Sequence, residues 1–433
     1  MVQIIPIILL LILFVGIMVV FSQEKLDYVG FSLLAAFISV VVTIIYFPDS
    51  NFNTFLAFIE FDPIIFIISM QVIIMISEKH KIFQWIALKT LRFTKGNHRK
   101  FFYLICIISS LSASIIADIT VAIIFIPLVI RACKILKINP APFLFGISFT
   151  INIGSLYTPF SSSENILIGA AFSLDLQWFL SKFSLYVFPM LILTLVVLDF
   201  TMLRKIKAPT EQQKEILLEI MDPNLVIVNK TQFILNSLYL GAIIIGFLFP
   251  INAWVVSSLG AILISIFNKE QISDNLAKID WKIIFFFISL FLMIGCMQIA
   301  GIFQIVAGWT TSIFSDNDLI SAIILLFSIG ILSGFLAQVP TAIVFISLLK
   351  NLYGFEVGAV PDLILMAFLL GINLGSNFLP QGAACDLMAL NLAKKNGVKA
   401  FNYKSLLKNG SLITLFHLFF SVIYLSIFYL FML

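Results

Sequence analysis

The chain repeatedly passes through long runs of apolar side chains, and these runs limit what it can fold into. The opening run, residues 4–21, holds no charged residue. A helix needs about 20 such residues to cross the hydrocarbon core of a bilayer. Of the 433 residues 61% are hydrophobic and 11% charged, whereas soluble domains are about 25% charged. We therefore predict an all-α membrane protein, because the strands of a β-barrel would alternate apolar and polar residues.

The apolar runs predict about ten spanning helices in a multi-pass protein of the cell membrane. Eight runs are uninterrupted: residues 4–21, 29–47, 61–78, 183–203, 233–249, 253–268, 281–298 and 408–431. Two more, 140–172 and 361–393, contain Gly, Pro, Ser and Asn and predict broken helices. The stretches 101–136 and 318–350 have polar centres and predict re-entrant hairpins. Irregular backbone at that depth requires cover by protein or a water-filled cavity.

An internal repeat with an offset of about 220 residues divides the chain. Ile82-Phe83-Gln84 recurs as Ile302-Phe303-Gln304, and Asn152-Ile153-Gly154 recurs as Asn373-Leu374-Gly375. The predicted units are a first repeat, 1–203, a cytoplasmic linker, 204–232, and a second repeat, 233–433.

The two repeats are predicted to be inverted, since each holds an odd number of crossings. Residues 79–100 carry seven Lys or Arg and the matching residues 299–317 carry none. The positive-inside rule then places the first segment in the cytoplasm and the second outside, with both termini on the extracytoplasmic side. The basic segment resembles an interfacial helix at the lipid bilayer, so no nucleic-acid partner is expected.

The four interruptions predict a binding site, because transporters with inverted repeats bind substrates and coupling ions at broken helices near the midplane. Glycine lets a ligand approach the backbone, proline frees a carbonyl, and hydroxyls and amides can replace the water around an ion. The predicted substrate- or ion-binding residues are Asp118, Thr120, Asn152, Gly154, Ser155, Thr158, Ser162, Ser163, Glu164, Asn165, Gln338, Thr341, Asn373, Gly375, Ser376, Asn377 and Asp386.

Three of these residues, Asp118, Glu164 and Asp386, are carboxylates within otherwise uncharged membrane sequence. Such groups are costly in a bilayer and are by default functional candidates. They are interpreted as cation ligands or proton carriers; the alternatives are that each caps a half-helix or reaches the interface. Na+ is predicted at Asp118, Asn152 and Glu164, and no cofactor is expected beyond Na+ or H+ as the coupling ion.

The segment from Phe61 to Asn165 resembles the ion transporter superfamily of arsenite permeases, sodium/proton antiporters, and citrate and dicarboxylate carriers. The resemblance rests on Lys95-Gly96-Asn97, Ala117-Asp118-Ile119-Thr120, Asn152-Ile153-Gly154 and Thr158-Pro159. Ser163-Glu164 stands where that superfamily has two prolines, and Ala384-Cys385-Asp386 replaces the second Pro-Pro-Asn. The resemblance implies a site built from hairpin tips and broken-helix loops in a mobile unit, and it is compatible with a homodimer.

The predicted function is that of a secondary active transporter of a small inorganic or carboxylate anion, coupled to H+ or Na+. Two alternatives stay open: a sodium/proton antiporter, favoured by the acidic site, and a non-transporting membrane receptor or scaffold, favoured by the altered motifs. An enzyme is not expected, since the chain has neither HExxH nor GxSxG.

Overall fold

The secondary structure of the described part of the chain is helical. The computed structural model describes residues 4–21, 26–249, 251–310, 317–354 and 356–432, and within these ranges there is no strand. The first eleven helices are α1 Ile4–Phe21, α2 Tyr28–Tyr46, α3 Phe52–Leu56, α4 Phe61–Lys79, α5 Ile82–Phe93, α6 His98–Ala113, α7 Asp118–Ile135, α8 Ala141–Gly154, α9 Ser163–Ala171, α10 Leu176–Thr201 and α11 Glu211–Ile220. The other ten are α12 Lys230–Gly246, α13 Ala253–Phe267, α14 Ile272–Leu276, α15 Trp281–Ile299, α16 Ile302–Thr310, α17 Asp318–Leu336, α18 Gln338–Tyr353, α19 Asp362–Gly375, α20 Ala384–Lys395 and α21 Tyr403–Met432.

Several helices begin at a polar residue that stands just before an apolar run. The side chains of Asn97, Asp175, Asn229 and Asn317 each accept a hydrogen bond from the first turn of the helix that follows. Such a cap satisfies N–H groups that have no partner within the helix. The polar residues between the runs therefore determine where these helices start.

Several apolar helices are long enough to span a membrane and expose large apolar side chains on their surface. By length and composition, six helices among the described residues could cross a bilayer: α2, α4, α10, α15, α17 and α21. Shorter apolar stretches occur at Ile4–Ile17, Ala141–Tyr157, Ala253–Phe267 and Asp362–Phe378. Phe37, Leu185 and Phe419 are among many large apolar side chains that remain exposed, as expected for a surface that faces lipid. The all-α membrane fold is confirmed, and the count of ten spans stays a prediction.

The helices follow the same order in the two halves of the chain. Phe61 and Trp281, which begin α4 and α15, are 220 residues apart, and so are Asp118 and Gln338, which begin α7 and α18. Both α8 and α19 continue into a short 3-10 turn, Ser155–Tyr157 and Ser376–Phe378 respectively. The breaks and the hairpin turns thus lie within the stretches that the sequence predicts, whereas the re-entrant depth of the hairpins, the inverted orientation and the unit boundaries stay predictions.

Helices of one half pack against helices of the other. α2 packs on α15 and α13 on α4, while α7 packs on α20 and α9 on α18. The second helix of each hairpin therefore contacts the broken helix of the opposite half. This exchange brings both breaks to the middle of the protein.

Two glycines allow each broken helix to approach the hairpin of its own half. A Cβ atom at Gly154 would lie 2.1 Å from the carbonyl oxygen of Ser110 in α6. One at Gly375 would lie 2.2 Å from the Cα atom of Gly330 in α17. Helix packing accounts for glycine at both positions, and the ligand role predicted for them stays a prediction.

Replacing Gly154 by Ala is expected to destabilise the protein by about 1–3 kcal/mol, because the added methyl group overpacks the contact between α6 and α8. The matched control is Gly241→Ala in α12, where an added Cβ meets nothing within 4 Å. That control should be neutral or stabilising, since alanine favours a helix by up to about 1 kcal/mol. The midpoint of thermal unfolding in detergent measures both effects, and equal midpoints would contradict the packing role.

Candidate functional site

The two broken helices end and restart in different ways. In the first half, Ser162 precedes α9 and its hydroxyl accepts a hydrogen bond from the N–H of Asn165 at 3.5 Å. In the second half, Ala383 precedes α20 and offers no side-chain cap. The first break is therefore closed by its own polar side chains, whereas the start of α20 keeps backbone donors without such a cap.

Polar side chains brace the first break from inside. The amide nitrogen of Asn165 donates to the carbonyl oxygen of Ser155 at 2.7 Å and to the hydroxyl of Ser161 at 3.0 Å. The hydroxyl of Thr158 donates to the carbonyl oxygen of Ser114 at the first hairpin tip, at 2.6 Å. These bonds satisfy carbonyl groups that the interrupted helix leaves without partners. Three predicted ligands, Ser155, Thr158 and Asn165, thus hold the shape of the break.

Two amide pairs connect the breaks of the two halves. The Nδ2 atom of Asn373 donates to Oδ1 of Asn165 at 2.8 Å, and Nδ2 of Asn152 donates to Oδ1 of Asn377 at 2.7 Å. All four side chains are buried. The structure therefore brings together four predicted site residues, two from each half of the sequence.

Cys385 lies in the same network, although it is not among the predicted ligands. Its thiol donates to Oδ1 of Asn152 at 3.5 Å, and it directly precedes Asp386. The available signal was the position of Cys385 inside the second interruption.

The three carboxylates are all buried. Asp118 is 8% exposed, Glu164 3% and Asp386 0%. None of them takes part in an ion pair among the residues that the structure describes. Glu164 and Asp386 each interact electrostatically with Asp118. Buried carboxylates without a basic partner are costly unless a proton or a cation compensates their charge.

The individual contacts of the acids bear on the capping alternative. One oxygen of Asp118, at the start of α7, accepts a hydrogen bond from the N–H of Ile119 at 2.8 Å. Oε1 of Glu164 and Oδ2 of Asp386 have no hydrogen-bond partner among the residues that the structure describes. Capping describes part of the environment of Asp118, but it leaves one oxygen of each of the other two acids unexplained.

The other predicted residues line the break and the hairpin tips. Ser376 donates to the carbonyl oxygen of Asn373 at 2.8 Å, and Thr341 donates to that of Ala337 at 2.8 Å, so both hydroxyls serve their own backbone. Gln338 is buried at the second tip, and its amide lies 3.5 Å from the carbonyl oxygen of Ile372. Thr120 and Ser163 are half-buried.

The centre holds both a hydrogen-bond donor and hydrogen-bond acceptors without partners in the described part of the chain. The donor is Nδ2 of Asn377, and the acceptors are Oδ1 of Asn373 and the two carboxylate oxygens. Unpaired buried polar atoms are few in native proteins. Within the described ranges, no three His, Cys, Asp or Glu residues are arranged to hold a metal ion. The Na+ role of Asp118, Asn152 and Glu164 stays a prediction.

Asn165→Ala should lower stability by about 1–3 kcal/mol, because it leaves buried backbone and side-chain groups of the first break without a partner. The control is Asn351→Ala, since Nδ2 of Asn351 donates to the carbonyl oxygen of Ser347 within its own helix, in a half-buried position. Thermal unfolding of the two purified variants gives the comparison. An Asn165→Ala midpoint no lower than that of the control would show that the break does not depend on this amide.

Comparison with known proteins agrees with the fold. Residues 8–372 match the citrate transporter family. The 46 kDa membrane protein of Mycobacterium leprae (strain TN) is 24% identical over 86% of this chain and 88% of its own length. The arsenical pump membrane protein of Escherichia coli (strain K12) is 23% identical over 78% of this chain and 80% of its own.

A solved structure shares the fold at much lower sequence similarity. The YdaH transporter of Alcanivorax borkumensis superposes with a TM-score of 0.53 over 90% of this chain and 89% of its own, at 10% identity. The match of the family to most of the chain decides the assignment. The chain belongs to the citrate transporter family and is a multi-pass membrane transporter.

Proposed function

We propose that the chain is a secondary active transporter of a small inorganic or carboxylate anion, coupled to H+ or Na+. The observation that carries the proposal is that the starts of α9 and α20 each contact the broken helix of the other half at the buried centre. Asn165, in the first turn of α9, contacts Asn373, and Cys385, in the first turn of α20, contacts Asn152. Each half thus presents a helix start to the other half's break.

The helix starts support binding of an anion. The N–H groups of a first turn and the helix dipole together favour negative charge. The absence of a side-chain cap at Ala383 leaves such donors at α20, and Nδ2 of Asn377 is a further unpaired donor.

The carboxylates support coupling to a cation. An anion next to three ionised acids would be repelled, and at 4 Å two unit charges interact by about 4 kcal/mol at an effective dielectric constant of 20. Binding of H+ or Na+ by Asp118, Glu164 or Asp386 would remove that repulsion. Occupation of the site by the cation would thus favour binding of the anion, which is the basis of coupled transport.

A sodium/proton antiporter is the rival that a specific observation favours. The buried acids form no ion pair with Lys or Arg in the described part of the chain, and three carboxylates can exchange cations without any anion. The same acids therefore serve both proposals, and only transport assays separate them.

The purified protein in liposomes, with imposed pH and Na+ gradients, should take up one of arsenite, citrate and succinate. Uptake should stop when both gradients are collapsed. Na+-driven proton movement with no anion requirement would replace the anion proposal with the antiporter. An absence of flux for every tested ion would support a non-transporting receptor or scaffold.

Asp118→Asn, Glu164→Gln and Asp386→Asn are each expected to abolish gradient-driven accumulation, because the neutral side chains can no longer exchange the coupling cation. The control is Asp199→Asn, which removes a buried acid that pairs with Arg99 at 2.6 Å outside the site. It should retain coupled uptake in folded protein. Normal coupling in all three site variants would assign these acids to structure alone.

A further inference from the structure

Two cavities outside the centre flank the second segments of the broken helices, α9 and α20, and they carry opposite charges. The first, which we call the lysine vestibule, has a volume of about 820 Å3. It is lined in part by Ala337, Gln381, Asn391, Lys394, Lys399 and Tyr403. Among the residues that the structure describes, its lining contains two lysines and no Asp or Glu. Neither lysine forms an ion pair in the described ranges.

The lysine vestibule reaches the second hairpin tip. Ala337 is the single residue between α17 and α18, and its φ of 67° lies in a region that residues other than glycine rarely adopt. Such strain is found at functional sites more often than elsewhere. Leu387, which follows Asp386, also lines the cavity. The vestibule thus lies beside both the tip and the acidic end of α20.

The second cavity, the aspartate vestibule, has a volume of about 460 Å3. Asp62 and Asp175 line it, together with Phe160, Ile166 and Trp254, and its described lining holds no Lys or Arg. Ile166 in α9 and Leu387 in α20 are 221 residues apart, so the two cavities occupy corresponding places in the two halves. The positive-inside prediction puts the lysine vestibule on the cytoplasmic face and the aspartate vestibule outside.

We propose that the lysine vestibule is a collecting site for the anionic substrate, so that the transporter binds this anion more tightly from the face of Lys394 and Lys399. This inference rests on the proposed anion transport. A cleft lined by charges of one sign raises the local concentration of ions of the other sign. The aspartate vestibule has the reverse effect and favours departure of the anion. The chain therefore has unequal apparent affinities on its two faces.

The local potential can be measured without transport. Asn391→Cys and Ser173→Cys place one exposed thiol in the lysine and the aspartate vestibule respectively. The four native cysteines are buried. Each thiol is reacted with anionic, neutral and cationic methanethiosulfonate reagents. The rates with the two charged reagents are then divided by the rate with the neutral reagent at the same position.

The normalised anionic rate is expected to be about tenfold higher at position 391 than at position 173 at low salt. Lys394→Gln with Lys399→Gln should remove most of this preference, and about 0.5 M NaCl should do the same by screening. Lys404→Gln, an exposed lysine that does not line the cavity, is the control. Equal normalised anionic rates at positions 391 and 173, or rates that do not change when both lysines are replaced, would overturn the proposal.

The second measurement is the KM for the transported anion from each face of oriented proteoliposomes. Lys394→Gln with Lys399→Gln should raise KM several-fold from the lysine face only, and Asp62→Asn should lower KM from the opposite face. Unchanged KM values, together with the expected thiol ratios, would mean that the lysines set membrane orientation only, which overturns the proposal. If no anion is transported, the proposed function fails, while the thiol ratios still report the vestibule charges.

Discussion

The two buried amide pairs, Asn152 with Asn377 and Asn165 with Asn373, are the interaction on which the rest of the site depends. A helix that is interrupted inside a membrane protein exposes backbone groups that no water or lipid satisfies. The amide is suited to this place because it donates and accepts at once and carries no net charge. Each pair joins the interruption of one half to that of the other, so each break supplies hydrogen-bond partners to its counterpart.

The two halves solve the same problem with different residues. Asn165 occupies the position of Asp386, and Glu164 that of Cys385, at a separation of 221 residues. The amide nitrogen of Asn165 bonds within its own break and its oxygen accepts from Asn373, whereas Oδ2 of Asp386 has no hydrogen-bond partner in the described part of the chain. The side chains of the first break thus bond to its own backbone, through Ser161 and Asn165. The second break holds the thiol and the uncapped helix start, and each break holds one carboxylate oxygen without a hydrogen-bond partner among the described residues.

Local structure was predicted from the sequence more accurately than the contacts between distant helices. Apolar runs bounded by polar residues placed α4 at 61–78, against Phe61–Lys79 in the structure, because lipid-spanning helices need a nearly fixed length. Gly, Pro and Asn placed both breaks for the same local reasons. The predicted acids also lie together in the protein interior.

The contacts across the halves could not be predicted in the same way. That α7 packs on α20 and α9 on α18 depends on how distant surfaces fit, which hydrophobic periodicity does not encode. Cys385 belongs to the site because its thiol contacts Asn152, which lies 233 residues away in the sequence. Gly154 and Gly375 were interpreted as ligand positions, yet the backbone of a neighbouring helix already accounts for both.

The two hairpins differ in their connection, and this difference bears on motion. Four residues, 114–117, join α6 to α7, whereas Ala337 alone joins α17 to α18. A four-residue link has slack, so its two arms can shift separately. A one-residue link with a constrained φ has much less, so we expect α17 and α18 to move together. Any opening of the second half would therefore displace the whole hairpin and the α9 segment that packs on it.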